Sequence, residues 1–265
     1  VNIRFDGKTA IVTGSASGIG RGIARCLAES GANVVIADVA LDKAKETAAE
    51  IEKDFGVGAL AAKTDITKQA SVDRMVARAV KKFGGVHVLV NNAGLSNTSR
   101  LVDMTDATWN AMLTVNLTGT MRVSKAVVAQ ILEQGGGGVI INISSKSGCR
   151  GSASASHYCA TKFGVIGMAQ SWAREYAKDG IRCCSVLPGN VFEGSGIWSK
   201  AFIKQQAKKH GLKPDQVVAH YNAQVPLGRS CTVEDIANTV AFLASDQASY
   251  LTGISVLVDG GQEMR

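Results

Sequence analysis

Thr9-Ala10-Ile11-Val12-Thr13-Gly14-Ser15-Ala16-Ser17-Gly18-Ile19-Gly20 is the stretch on which the fold turns. Thr9 to Val12 read as a buried strand, and a helical run from Ile19 to Glu29 follows the glycines. Gly14, Gly18 and Gly20 thus close a strand and open a helix, the setting a phosphate-binding turn requires. Missing side chains let the backbone approach a pyrophosphate, which then sits on the helix N-terminus. The spacing departs from G-x-G-x-x-G, so the turn needs a second signal. Asp38 supplies it by closing the next apolar strand, Val34-Val35-Ile36-Ala37. A carboxylate about 20 residues beyond the turn accepts hydrogen bonds from ribose hydroxyls. It also repels a 2′-phosphate, and neither Ser17 nor Val39 offers a cation to hold one. The expected cofactor is NAD rather than NADP.

Outward from this stretch the same rhythm repeats. A charged-faced helix runs from Leu41 to Asp54, then a strand lies around Leu60, a helix over Ser71 to Phe83, and a strand over His87 to Val90. A long helix is expected from Val115 to Glu133, stopped by Gly135-Gly136-Gly137-Gly138. Val139 to Ile143, Ile181 to Leu187 and Ile254 to Val258 are the remaining strands. Apolar strands alternating with helices imply a parallel sheet covered on both faces, a doubly wound α/β fold of about seven strands. With three prolines in the chain and no low-complexity linker, residues 1–265 read as a single Rossmann-like domain. The segment 192–222 breaks the rhythm as a basic, helix-leaning insertion placed to cover the substrate.

Composition narrows the class. At 265 residues the chain is long enough for a large core. No apolar run approaches the roughly 20 residues of a membrane span. The opening residues carry Arg4, Asp6 and Lys8 and read as the approach to a strand rather than a leader, which points to the cytoplasm. Six cysteines and four histidines show no metal-ligand spacing, so no metal is expected and the thiols read as reduced and structural. The net charge of +7 is spread along the chain without a nucleic-acid motif.

The chemistry lies in Tyr158-Cys159-Ala160-Thr161-Lys162. Four residues apart on a helix, the phenol and the ammonium share a face. The cation is expected to lower the phenol pKa and fit it for proton exchange. With Ser145 upstream and a dinucleotide turn, the set describes redox at a carbinol or carbonyl carbon.

In order and spacing, Thr13 to Gly20, Asp65-Ile66, Asn91-Asn92-Ala93-Gly94, Asn116, Ser145, Tyr158 with Lys162, Pro188-Gly189 and Asp259-Gly260-Gly261 resemble the short-chain dehydrogenase/reductase family along essentially the whole chain. The resemblance implies that Tyr158 is the general acid/base and that Lys162 lowers its pKa and binds the nicotinamide ribose. It implies that Ser145 holds the substrate oxygen and that Asn116 holds a relay water. Asp65 and Ile66 would meet the adenine. Asn91, Ala93 and Gly94 would meet the adenosine-side ribose and nearby cofactor, and Pro188 and Val191 would flank the nicotinamide. Glu193 stands where the family often has a Thr contacting the carboxamide. Family members are commonly tetramers built on the helices near Val115 and Ser156, so a homotetramer is expected.

Substrate is the harder reading. Ser96, Asn97, Thr98 and Ser99, then Lys146 to Arg150 with Ser147, then Asn190 to Trp198 with Glu193, give a polar lining suited to a polyhydroxylated molecule. The segment from Gly194 to Leu227 resembles the lid of hexitol (sorbitol or galactitol) and hexitol-phosphate dehydrogenases. Lys200, Lys204, Lys208, Lys209 and Lys213 make it basic, either as a solvated helix face or as an attractor for a sugar-alcohol phosphate. The competing activities are a 3-oxoacyl thioester reductase, which Asp38 disfavours, and a small-diol dehydrogenase. A silent NAD(H)-binding sensor is the alternative from outside enzymology.

Overall fold

The computed structural model describes residues 3–196 and 198–264; Ile197, which falls in the expected lid, lies outside the described residues, as do residues 1, 2 and 265. Seven strands, β1 (Thr9–Thr13), β2 (Asn33–Asp38), β3 (Ala59–Lys63), β4 (Val88–Asn91), β5 (Gly138–Ile143), β6 (Ile181–Pro188) and β7 (Ser255–Val258), form one sheet. Their order is β3-β2-β1-β4-β5-β6-β7, and each neighbouring pair is parallel. The fold is the expected single Rossmann-like domain.

The pleat sorts the apolar strand residues into two cores. Ala10, Val12, Val34, Ile36 and Ile141 face one side with Ile23 and Leu27 of α1 (Gly18–Glu29) and Ile236 and Val240 of α9 (Val233–Ala244). On that side α2 (Leu41–Phe55) adds Ala44 and Ile51. Ile11, Val35, Leu89 and Ile140 face the other side. There they meet Val72 and Met75 of α3 (Gln69–Phe83), Val123 and Val127 of α5 (Thr120–Gln134), and Ala169 of α6 (Ser156–Tyr176). Continuous apolar strands are therefore explained by burial on both faces.

Two elements differ from the sequence expectation. The helix expected from Val115 begins at Asp106: α4 (Asp106–Met112) is capped by Thr105, whose hydroxyl accepts from Thr108 N at 3.2 Å. It runs into α5 through a π-helical stretch, Leu113–Gly119, centred on Asn116. Widened turns of this kind recur at functional positions because they redirect side chains. Helix α9 was not anticipated. Its start is a reciprocal cap in which Thr232 Oγ1 accepts from Asp235 N and Asp235 Oδ2 accepts from Thr232 N.

The strand order reverses between β1 and β4, and the chain leaves all strands at the same end of the sheet. The loops that follow β1, β4, β5 and β6 therefore gather at one crevice. Above it, α7 (Lys200–His210) and α8 (Val217–Asn222) lie between β6 and α9. Trp198 anchors them, its ring 4.2 Å from Phe192, 5.2 Å from Phe202 and 5.4 Å from Tyr221, centroid to centroid. No helix among the described residues is long and apolar enough to cross a membrane.

Candidate active site

The dinucleotide end is built by close backbone approach. Gly14 adopts φ +62°, and a Cβ there would stand 2.8 Å from Ala93 Cα. A Cβ on Gly20 would overlap the Gly14 carbonyl and lie 2.5 Å from Asn92 Nδ2. Asn92 closes this corner by donating to Thr13 O at 2.9 Å and Gly14 O at 3.0 Å, while Thr13 Oγ1 accepts from the Asn92 and Ala93 amides, each at 3.0 Å. Asp38 Oδ2 accepts from Ala16 N at 3.0 Å and its Oδ1 from Ala40 N at 2.9 Å, so the carboxylate braces the glycine turn. Ser17 at the start of α1 makes no side-chain cap, which leaves the first-turn amides facing outward.

A cavity of about 710 Å³ lies along this turn, with Gly14, Ser17, Gly18, Ile19, Ala93, Gly94 and Ser96 in its wall. Glycines that only a side-chain-free backbone can satisfy, uncapped helix amides and a bracing carboxylate together fit a dinucleotide.

Several residues expected at the cofactor are also tied into the protein itself. Asn91 turns into the interior, where its Nδ2 donates to Ser124 Oγ and Asn142 Oδ1, both at 2.9 Å. Ile66 is buried, and a Cβ on Gly119 would stand 2.7 Å from its Cδ1. Asp65 Oδ1 accepts from Thr67 N and Oγ1, bonds that hold its carboxyl below the usual range. Asp38, Asp65, Ile66 and Asn91 all lie outside the lining of the 710 Å³ cavity.

The reactive groups meet next to this cavity. Ser145, Tyr158, Lys162, Pro188 and Val191 line one small chamber of about 100 Å³ with Ile19, Gly94 and Trp198. Ser145 ends the loop after β5, its Oγ accepting from Ser147 N at 3.1 Å and hydrogen-bonding the Tyr158 phenol. Lys162 Nζ donates to Ile143 O at 2.8 Å and stands 5.6 Å from the Tyr158 ring centroid. Burial pushes the phenol up to about 12, the Ser145 hydrogen bond pulling the other way. Burial also draws the Lys162 ammonium down to about 8. The expectation of a lowered phenol pKa is thus corrected: the ammonium is bound to a carbonyl, and desolvation outweighs its attraction.

Asn116 does not face this chamber with a free side chain. Its Oδ1 accepts from Leu95 N at 2.7 Å and its Nδ2 donates to Leu95 O at 2.9 Å, which pins the loop after β4. Thr120 Oγ1 takes its carbonyl at 2.8 Å. His157, wholly buried, pairs through Nε2 with Asn97 of the same loop.

Beyond Tyr158 a wider cavity of about 420 Å³ opens. Its wall includes Ser96, Ser147, Asn190 and Trp198 of the expected substrate set, while Glu193 is exposed and outside it. Of the five lid lysines only Lys209 lines this cavity; Lys200, Lys204 and Lys208 are exposed on α7. Sequence reasoning missed Gln206, Tyr221, Gln262 and Glu263, which also line it. No local pattern marks them, because they arrive from the lid and from beyond β7.

A family model described as enoyl-(acyl carrier protein) reductase matches residues 14–263. A sorbitol dehydrogenase of Cereibacter sphaeroides is 39% identical over 265 residues, spanning 99% of this chain and 100% of the relative. A 3-oxoacyl-[acyl-carrier-protein] reductase of Staphylococcus epidermidis is 40% identical over 258 residues, 97% of this chain and 99% of the relative. The crystal structure of a sorbitol-6-phosphate 2-dehydrogenase from Erwinia amylovora superposes with a TM-score of 0.93 at 35% identity, covering 97% of this chain and 100% of that one.

Proposed function

Because the chain belongs to the short-chain dehydrogenase/reductase family and is an oxidoreductase acting on an alcohol or ketone, we propose that it oxidises a secondary hydroxyl of a polyol, sugar alcohol or sugar-alcohol phosphate with NAD. The observation that carries this is the junction at Tyr158. The phenol stands in the wall of the small chamber beside the dinucleotide cavity and also in the wall of the 420 Å³ cavity.

Bound at the glycine turn, a nicotinamide dinucleotide supplies the hydride acceptor. The turn Gly14, Ser17, Gly18, Ile19 and Gly20 holds its phosphates, and Asp38 selects NAD by repelling a 2′-phosphate. Ala93, Gly94, Pro188 and Val191 shape the path to the reacting carbon. Ser145 donates to the substrate oxygen, and Tyr158 takes its proton. The Lys162 ammonium, 5.6 Å from the ring centroid, favours the phenolate form that accepts the alcohol proton. Asn116 serves as the anchor of the Leu95 loop.

Substrate hydroxyls need partners when buried. Asn190 Nδ2 is buried without one in the cavity wall, and Gln206 and Tyr221, joined at 3.0 Å, share that wall. The similarity to the Staphylococcus epidermidis protein supports a second reading, reduction of a 3-oxoacyl thioester. Initial rates at 340 nm separate the two. Turnover of hexitols or their phosphates with NAD, and little with NADP, sustains the first reading. Silence on polyols with reduction of an acetoacetyl thioester by NADPH replaces it with the second. A homotetramer is proposed through α4, α5 and α6, which expose Trp109, Met121 and Phe163, and light scattering gives its mass.

A further inference from the structure

The 420 Å³ cavity is not electrically neutral. Lys146, Arg150 and Lys209 line it, and Glu263 is the sole carboxylate among its lining residues. Lys146 leaves the loop after β5 half-buried, and its Nζ donates to a neutral oxygen, Gln262 Oε1, at 2.7 Å. Burial lowers its pKa; Glu263 and Asp259, not in contact, raise it in return. Arg150 is paired with Glu263 at 2.5 Å, with the Glu263 side chain 15% exposed and the Arg150 side chain 63% exposed. At the cavity mouth Lys209 Nζ donates to Ala153 O at 3.3 Å. The segment after β7 thus lays one carboxylate and one amide over two cations that face the substrate space.

We propose that Lys146 and Arg150, with Lys209 at the mouth, form an anion subsite for the terminal phosphate of a sugar-alcohol phosphate, and that Glu263 occupies Arg150 until that phosphate displaces it. This deepens the polyol reading above and rests on it. A neutral polyol would leave the Lys146 ammonium further desolvated with an amide oxygen for company, a costly state for a cation. A phosphate dianion brings the lining close to balance and offers the two cations charge-assisted hydrogen bonds. The exposed Lys200, Lys204 and Lys208 contribute only to the long-range field, which salt screens.

The test is kcat/KM with NAD for a hexitol and for its 6-phosphate, in wild type, Lys146→Gln and Glu263→Gln. Wild type is expected to prefer the phosphate by at least about tenfold, the worth of one charge-assisted hydrogen bond. Lys146→Gln should erase most of that preference, lowering kcat/KM for the phosphate by about tenfold more than for the neutral hexitol. Glu263→Gln should lower KM for the phosphate by freeing Arg150. Equal or better use of the neutral hexitol by wild type overturns the subsite. So does an equal loss on both substrates in Lys146→Gln. If neither compound turns over, the polyol reading fails by itself, and calorimetric titration with inorganic phosphate then decides the subsite. Saturable binding that is lost in Lys146→Gln/Arg150→Gln supports it, and absence of binding in wild type overturns it.

Discussion

Replacing Lys162 by Met should change how stability depends on pH, by an amount the structure sets. Lys162 is 8% exposed, and burial lowers its pKa from the ordinary 10.5 to about 8. That gap corresponds to about 3 kcal/mol against the charged form. The unfolded chain titrates this lysine near 10.5 and the folded chain near 8. Below pH 8 both states hold the proton, and the folded state carries the whole penalty. Between 8 and 10.5 the unfolded state binds more protons, so stability rises with pH; above 10.5 the penalty is gone. Lys162→Met has no proton to release. Urea unfolding of the ligand-free protein, followed by circular dichroism at fixed protomer concentration, should show the wild type gaining about 2 kcal/mol on the variant between pH 7 and 9.5. Tyr158, pushed up to about 12, is common to both proteins and cancels. Stability curves that run parallel over this range would refute the claim that Lys162 is a desolvated cation.

Other outcomes follow from individual contacts. Gly20→Ala puts a methyl into the Gly14 carbonyl and Asn92 amide, so it should lose about 1–3 kcal/mol in thermal unfolding and weaken NADH binding measured by fluorescence. Asp38→Ser removes the repulsion of a 2′-phosphate and the brace on Ala16, so the NAD:NADP ratio of kcat/KM should fall by about tenfold or more in steady-state assays. Asn116→Ala leaves both Leu95 backbone groups without their partner, which should cost about 1–3 kcal/mol in denaturant unfolding and raise KM for both ligands.

The parts of this protein legible in its sequence are those governed by local periodicity or by backbone sterics. The runs at Ile11, Val35 and Ile140 read as strands because a parallel strand buried on both faces has no polar side to confuse the pattern. The glycine turn was legible because close approach excludes side chains whatever surrounds it. Tyr158 and Lys162 were legible as a pair because helical geometry alone puts them on one face. Their protonation was not, since desolvation depends on the whole chamber around them. The role of Asn116 was not legible either, because its amide is held at both ends by Leu95, twenty-one residues away. Asn91 carries a family motif, yet its side chain serves the sheet through Ser124 and Asn142. The run of lid lysines left a solvated face and an anion attractor both open, because charge can be counted in a sequence but its direction cannot; Lys200, Lys204 and Lys208 are exposed. The cations in the cavity, Lys146 and Arg150, gain their meaning from Gln262 and Glu263, more than a hundred residues further along the chain.

The most direct test of the account is Tyr158→Phe, assayed for polyol oxidation at 340 nm and for NADH binding by fluorescence on the same preparation. Removal of the proton acceptor predicts turnover lower by about 10²–10⁴-fold with the NADH dissociation constant essentially unchanged. Turnover close to wild type would contradict the assignment of Tyr158 as the acid/base and, with it, the mechanism built on this cleft.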